Sequence, residues 1–210
     1  MDRERKKRII KIFAGILIVS GFLILFLIYY KVLFYEILYF SRQVRKFNLL
    51  SISENKKTFS ENKDNIIPVN YEFAIVIPKI YANAPIISNI DPYDSKQYLP
   101  VLKKGVAHAK GTSFPGEGKT IYLFAHSTDA FYNVGTYNAV FYLIGKLQSG
   151  DEVDIYFKGS LYRYYVVSNK IVSPSAVDYL ENQDKEILIL QTCYPPGTTI
   201  KRLIVTALLK

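Results

Sequence analysis

The feature that most restricts this chain is an unbroken apolar stretch at residues 12–30, IFAGILIVSGFLILFLIYY, 19 residues without a charge. About 20 such residues, coiled as a helix, cover the hydrocarbon core of a bilayer. A removable signal peptide would have an apolar region of about 7 to 15 residues and a small-residue cleavage site after it. Residues 31–40, KVLFYEILYF, offer no such site. The stretch is therefore expected to stay attached as a transmembrane signal anchor. A helix that is apolar on every side is also a poor fit to the core of a domain of this size.

An anchor there divides the chain. Residues 1–11 form a cytoplasmic basic tail holding Arg3, Arg5, Lys6, Lys7, Arg8 and Lys11, against Lys31, Arg42, Arg45 and Lys46 on the other side. Lys and Arg are retained on the cytoplasmic side, so the remainder of the chain is expected outside the cell. Residues 31–47 keep a helical spacing of Leu, Phe and Tyr, which predicts an extension of the helix or an interfacial segment. Residues 51–65, SISENKKTFSENKDN, are polar enough to read as a stalk. This makes residues 31–66 a juxtamembrane linker and residues 67–210 the folded domain. The formal net charge of +9 comes from 27 Lys and Arg against 18 Asp and Glu, with six of the basic residues gathered in the tail. It reflects topology, so the expected partner is the lipid bilayer, through residues 12–30, and not nucleic acid.

Beyond the linker, short apolar runs alternate with turns. Strands are predicted at residues 71–77, 84–87, 120–125, 152–157, 161–167, 170–172, 186–191 and 203–208. Lys158, Gly159 and Ser160 join two of them with a hairpin signal. Short helical turns are expected at 95–102, 139–147 and 177–181. Tyr and Phe make up 15% of the chain, and their abundance in the second half favours strands there. The class is mainly β, as a closed barrel or a sandwich.

The chain holds a single cysteine, Cys193, in LILQTCYPPGTTIKRL at residues 188–203. One thiol makes no internal disulfide, so it is either inert filling or a reagent. If residues 186–191 and 200–209 pair as a hairpin, Cys193 and Arg202 share one sheet edge, and a cation beside a thiol favours the reactive thiolate. Two histidines are candidates for the base. His126 ends a predicted strand, where side chains emerge from a β scaffold, and His108 precedes a Gly- and Pro-rich turn. Two histidines and one cysteine are too few soft ligands for a structural zinc site, and no metal is expected.

Three stretches together resemble the sortases, membrane-anchored cysteine transpeptidases of bacterial cell surfaces. They are GVAHAKGTSFPGEGKTIYLFAHS at 105–127, FYLIGKLQSGDEVDIYF at 141–157 and LILQTCYPPGTTIKRLIVTA at 188–207. The resemblance implies an eight-stranded β-barrel with short helices over residues 67–210. It also implies catalytic roles for Cys193 as nucleophile, His126 as general acid and base, and Arg202 as oxyanion partner. His108 matches a family position without a catalytic role. The chain departs from the pattern at Ala125, where the family usually has Gly, and at Ser127, where a basic residue is usual.

Such enzymes cut a sorting signal such as Leu-Pro-x-Thr-Gly after the Thr and pass the acyl group to an amine. The implied partners are surface proteins bearing that signal, and a peptidoglycan precursor or a pilin Lys as acceptor. Thr192 and Tyr194, flanking the thiol, are candidates for substrate binding, and Asp129 for orienting His126. No cofactor is implied, and modulation by calcium at residues 173–185 stays open at this point. Two other readings compete. An L,D-transpeptidase would place its His and Cys in one short motif, whereas here 67 residues separate them. An inactive, membrane-tethered scaffold of sortase type would not need Cys193, His126 and Arg202 all intact.

Overall fold

The computed structural model describes residues 3–52, 66–127, 140–176, 179 and 185–210. The chain divides into two units, Met1–Ile52 and Ser53–Lys210. In the first, α1 is one helix over Arg3–Ile52. Its segment Lys7–Leu27 has mean hydropathy 2.6 and no buried part, so it is long and apolar enough to cross a membrane. The helix runs on through residues 31–47, as their spacing predicts. Of the expected stalk, residues 53–65 lie outside the described residues.

The second unit has eight strands: β1 (Phe73–Ile77), β2 (Ala82–Ile90), β3 (Val106–Ala109), β4 (Ile121–Phe124), β5 (Glu152–Phe157), β6 (Ser160–Val172), β7 (Ile187–Tyr194) and β8 (Lys201–Leu209). They close into a barrel in the order β1-β2-β3-β4-β7-β8-β6-β5. Two neighbouring pairs, β2 with β3 and β4 with β7, run parallel. Parallel neighbours need a crossover. Between β2 and β3 it contains α2 (Ser95–Leu102), whose first turn is capped by the Asp94 carboxylate accepting from the Lys96 N–H at 2.9 Å.

The expected strand number is met, but by two differences that cancel. Residues 161–167 and 170–172 belong to one long strand, β6, which is interrupted only by a register shift between Val166 and Ser168. Conversely β3 was not expected, because its sequence VAHA is four residues with two alanines and lacks the branched and aromatic side chains that mark strands. The helical turn expected at 95–102 is α2, whereas that at 139–147 shrinks to a 3₁₀ turn at Ile144–Lys146. Of the turn expected at 177–181, only Tyr179 is among the described residues. The hairpin signal is met: Lys158 and Gly159 take φ of 49° and 79°, the paired positive values of a type I′ turn, between β5 and β6.

Strand alternation decides what each residue faces. Leu123 of β4 pairs with Leu190 of β7, which pairs with Val205 of β8, and all three are fully buried in the barrel. The intervening residues point outward, yet Tyr122, Phe124, Ile189 and Ile204 are buried as well, in a cluster with Leu102 of α2. Tyr98 of α2 meets Phe124 edge-on at 6.1 Å. This stretch of wall is therefore covered on both faces, which is why β4 reads IYLF without a polar residue.

A carboxylate braces the barrel beside it. Glu186, just before β7, accepts the N–H groups of Gly116 and Gly118 at 3.1 Å each, and the Tyr164 hydroxyl at 2.6 Å. Gly116 has φ of +87°, and a Cβ there would lie 2.9 Å from the Tyr162 hydroxyl. The Pro-Gly-Glu-Gly turn can approach this closely only with glycine at that position.

Candidate active site

Strands β4, β7 and β8 lie side by side, with β7 in the middle. On one side, Cys193 and Arg202 are directly opposed partners. On the other, Phe124 opposes Gln191, and the Ala125 N–H continues the ladder by donating to the Gln191 carbonyl at 3.1 Å. Two residues further along in that register, His126 comes level with Cys193. All three share the outward-facing parity and are half-buried. By register, residues 126, 193 and 202 thus fall at one end of one outer face, although 67 residues separate the first two in the chain.

Hydrogen bonds fix the backbone around them. Thr192 is 3% exposed and donates its hydroxyl to the Ala125 carbonyl at 2.9 Å. The expectation that Thr192 touches substrate is corrected accordingly: its parity turns it into the barrel, where it ties the strand of Cys193 to the residue before His126. Ser127 is 1% exposed, and its hydroxyl accepts the Gly197 N–H at 3.3 Å. The position where the chain departs from the usual basic residue therefore joins the segment of His126 to the β7–β8 connection. That connection also holds Arg202, whose Nη1 donates to the carbonyls of Thr199 and Lys201 at 3.1 Å each. Tyr194 stands at the rim opposite Lys201, exposed to 36%, and the peptide bond to Pro195 is cis. Asp129 lies outside the described residues.

His108 has a different place. It is fully buried and pairs with Leu123, on the inner parity. Its ring lies against Phe114 at 4.6 Å and Phe73 at 5.8 Å. Nε2 faces the Ser113 carbonyl at 3.0 Å and the Thr112 hydroxyl at 3.1 Å, while Nδ1 accepts the Asn89 N–H at 3.4 Å. This pattern selects the neutral ring with its proton on Nε2. Burial holds its pKa below the ordinary value of 6.5, against the opposing pull of the Ser113 carbonyl and Glu117.

Sequence reasoning missed one polar contact on the outer face. The Tyr122 hydroxyl donates to Gln191 Oε1, two residues from Cys193 on the same strand face. Burial pushes the Tyr122 phenol far above its ordinary range, with the nearby Arg202 guanidinium pulling the other way. A strand position spaced by two from the thiol was the available signal. In chemical terms the face offers a thiol, an imidazole and a guanidinium with a fixed planar fork of donors, which suits acyl transfer better than metal or redox chemistry.

Comparison with known proteins agrees with this geometry. The family model described as a sortase domain matches residues 75–210. Sortase D of Bacillus subtilis (strain 168) is 31% identical over 159 residues, covering 73% of this chain and 72% of its own. The solved Clostridium perfringens Sortase D5 transpeptidase is 28% identical, with a TM-score of 0.55 over 73% of this chain and 90% of its own. Clostridium perfringens sortase C, solved with the C-terminal cell wall sorting motif, is also 28% identical, with a TM-score of 0.55 over 83% of this chain and 89% of its own.

Proposed function

Because the chain belongs to the sortase family, a family of cell-wall sorting transpeptidases, we propose that it cuts an LPxTG-like C-terminal sorting signal by way of a thioacyl enzyme. The Cys193 sulfur attacks the scissile carbonyl as its proton passes to His126, Arg202 donates to the oxyanion, and the C–N bond breaks as His126 gives that proton to the departing amine. An incoming amine then attacks the thioester, His126 takes its proton, and the C–S bond breaks as His126 passes that proton to the sulfur to restore the thiol. The acceptor is an amine of a peptidoglycan precursor or a pilin Lys. Tyr194, exposed at the rim, is proposed to line the path of the peptide.

The observation that carries this reading is the register around β7, which sets Arg202 opposite Cys193 and Phe124 opposite Gln191; continued by two residues, it brings His126 level with the thiol. The buried, tautomer-fixed His108 supports His126 as the acid and base. We place the basic tail, residues 1–11, in the cytoplasm, the span at 12–30, a linker at 31–66 and the catalytic domain, 67–210, outside the cell.

The test is turnover of quenched sorting-signal peptides by the full chain in detergent, with triglycine as acceptor and mass analysis of products. Cleavage with transfer, and a Cys193→Ala variant at background, is the expected result. Undiminished cleavage by that variant would sink the nucleophile assignment.

A further inference from the structure

The outer face that ends at Cys193 is largely apolar, with Gln191 and Thr206 as its polar positions before the strand ends. Across β4, β7 and β8 it presents Tyr122, Phe124, Ile189 and Ile204, all buried, and between them the half-buried Gln191. Gln191 is flanked by Phe124 on one neighbouring strand and Ile204 on the other. A carboxamide in such a setting is costly to desolvate unless its groups are paired. Its oxygen is paired, accepting from the Tyr122 hydroxyl, and Tyr122 is itself held by burial at 2% exposure. Its NH2 group has no hydrogen-bond partner among the described residues. The phenol fixes which end of the amide faces away, so the free end is a pair of directed donors.

Two residues of strand separate Gln191 from Cys193, about 7 Å at 3.3 to 3.4 Å per residue. An extended peptide attacked at Cys193 has one or two residues within that reach. The amine side of the scissile bond must be vacated and refilled by the acceptor, which requires access from the rim. The acyl side must stay bound through both steps, and the face running inward from Cys193, covered further along by α2, is the side built to retain it.

We propose that Gln191, oriented by Tyr122, is a specificity-determining residue: its NH2 group donates to an acceptor oxygen on a sorting-signal side chain within two residues before the scissile bond. The inference rests on the transpeptidase reading above. It adds a preference for substrates carrying Gln, Asn, Thr or a carboxylate at that position over apolar side chains of the same shape.

The experiment compares kcat/KM for isosteric peptide pairs, Gln against Met and Thr against Val, placed at each acyl-side position in turn. It uses the full chain in detergent and the variants Gln191→Leu, Gln191→Met and Tyr122→Phe. The parent is expected to favour the acceptor-bearing member about tenfold at one position. Both Gln191 variants bring that ratio near one while ratios at other positions hold, and Tyr122→Phe lowers it part of the way. Thermal unfolding and the rate of Cys193 alkylation by iodoacetamide identify a variant that has merely misfolded, and the other Gln191 variant then decides. Parent-like ratios in folded Gln191 variants, or no pair preference in the parent, overturn the inference while leaving the transpeptidase reading intact. A parent that cleaves none of the peptides overturns that reading, and this one with it.

Discussion

The two histidines of this chain lie 18 residues apart and have opposite surroundings. His108 pairs with Leu123 and so faces into the barrel, where two aromatic rings and two hydrogen-bonded nitrogens leave it neutral. His126 follows Leu123 by three residues, an odd number, and alternation turns it to the outer face beside Cys193. What distinguishes them is parity along two adjacent strands rather than residue type. A buried, fully bonded imidazole is a structural part, and the half-buried one past the strand end is the proposed acid and base.

Substitutions at the two positions are the strongest way to break this comparison. His126→Ala is expected to lower kcat/KM for signal cleavage by about 10² to 10⁴, the range for a lost general acid or base. His108→Gln, which keeps a donor, is expected to stay within a few-fold of the parent in the same assay. The reverse pattern would exchange their roles. On the other side of the thiol, Arg202→Lys keeps the charge and loses the planar fork. Its kcat is expected to fall at least tenfold, towards the roughly 10² to 10³ of a lost oxyanion donor; a parental rate would reduce Arg202 to packing.

Two smaller effects sharpen the contrast. In the unfolded chain His108 binds a proton below about pH 6.5, and in the folded barrel only at lower pH, because burial opposes the charge. Unfolding therefore takes up a proton in that window, and stability falls as pH drops through it, by at most about 1.4 kcal/mol per pH unit. Thermal unfolding between pH 7.5 and 5 should show this slope, flattened in His108→Gln. An unchanged slope in that variant would assign it to other groups. Finally, Thr192→Val keeps the shape and removes the bond to the Ala125 carbonyl. It should cost about 1 kcal/mol of stability and lower kcat more than it changes KM, as His126 loses its fixed height beside the thiol. Equal kcat would leave Thr192 a packing residue.

Much of this was legible in the sequence because alternation and turn chemistry are local. The apolar span, the Lys158-Gly159 hairpin and the opposition of Cys193 to Arg202 all follow from residues close together in the chain. The strand β3 was not, since VAHA carries little intrinsic strand preference and is held by its neighbours. Thr192 was misread for a related reason. Nearness to the thiol in sequence suggested nearness to substrate, but adjacent residues of a strand face opposite ways. The pairing of Tyr122 with Gln191 joins residues 69 apart; spacing by two sets Gln191 on the face of Cys193, but no local pattern names its partner.

The parallel contact of β4 with β7 has a kinetic consequence. Residues 125–186, including all of β5 and β6, intervene between those two strands, so their pairing closes one of the longest loops in the domain. Contacts of large sequence separation are slow to form. An unfolded chain therefore carries its thiol and its imidazole apart until the barrel shuts. On refolding, collapse should precede the recovery of thiol reactivity towards a signal peptide, making that recovery a clock for closure.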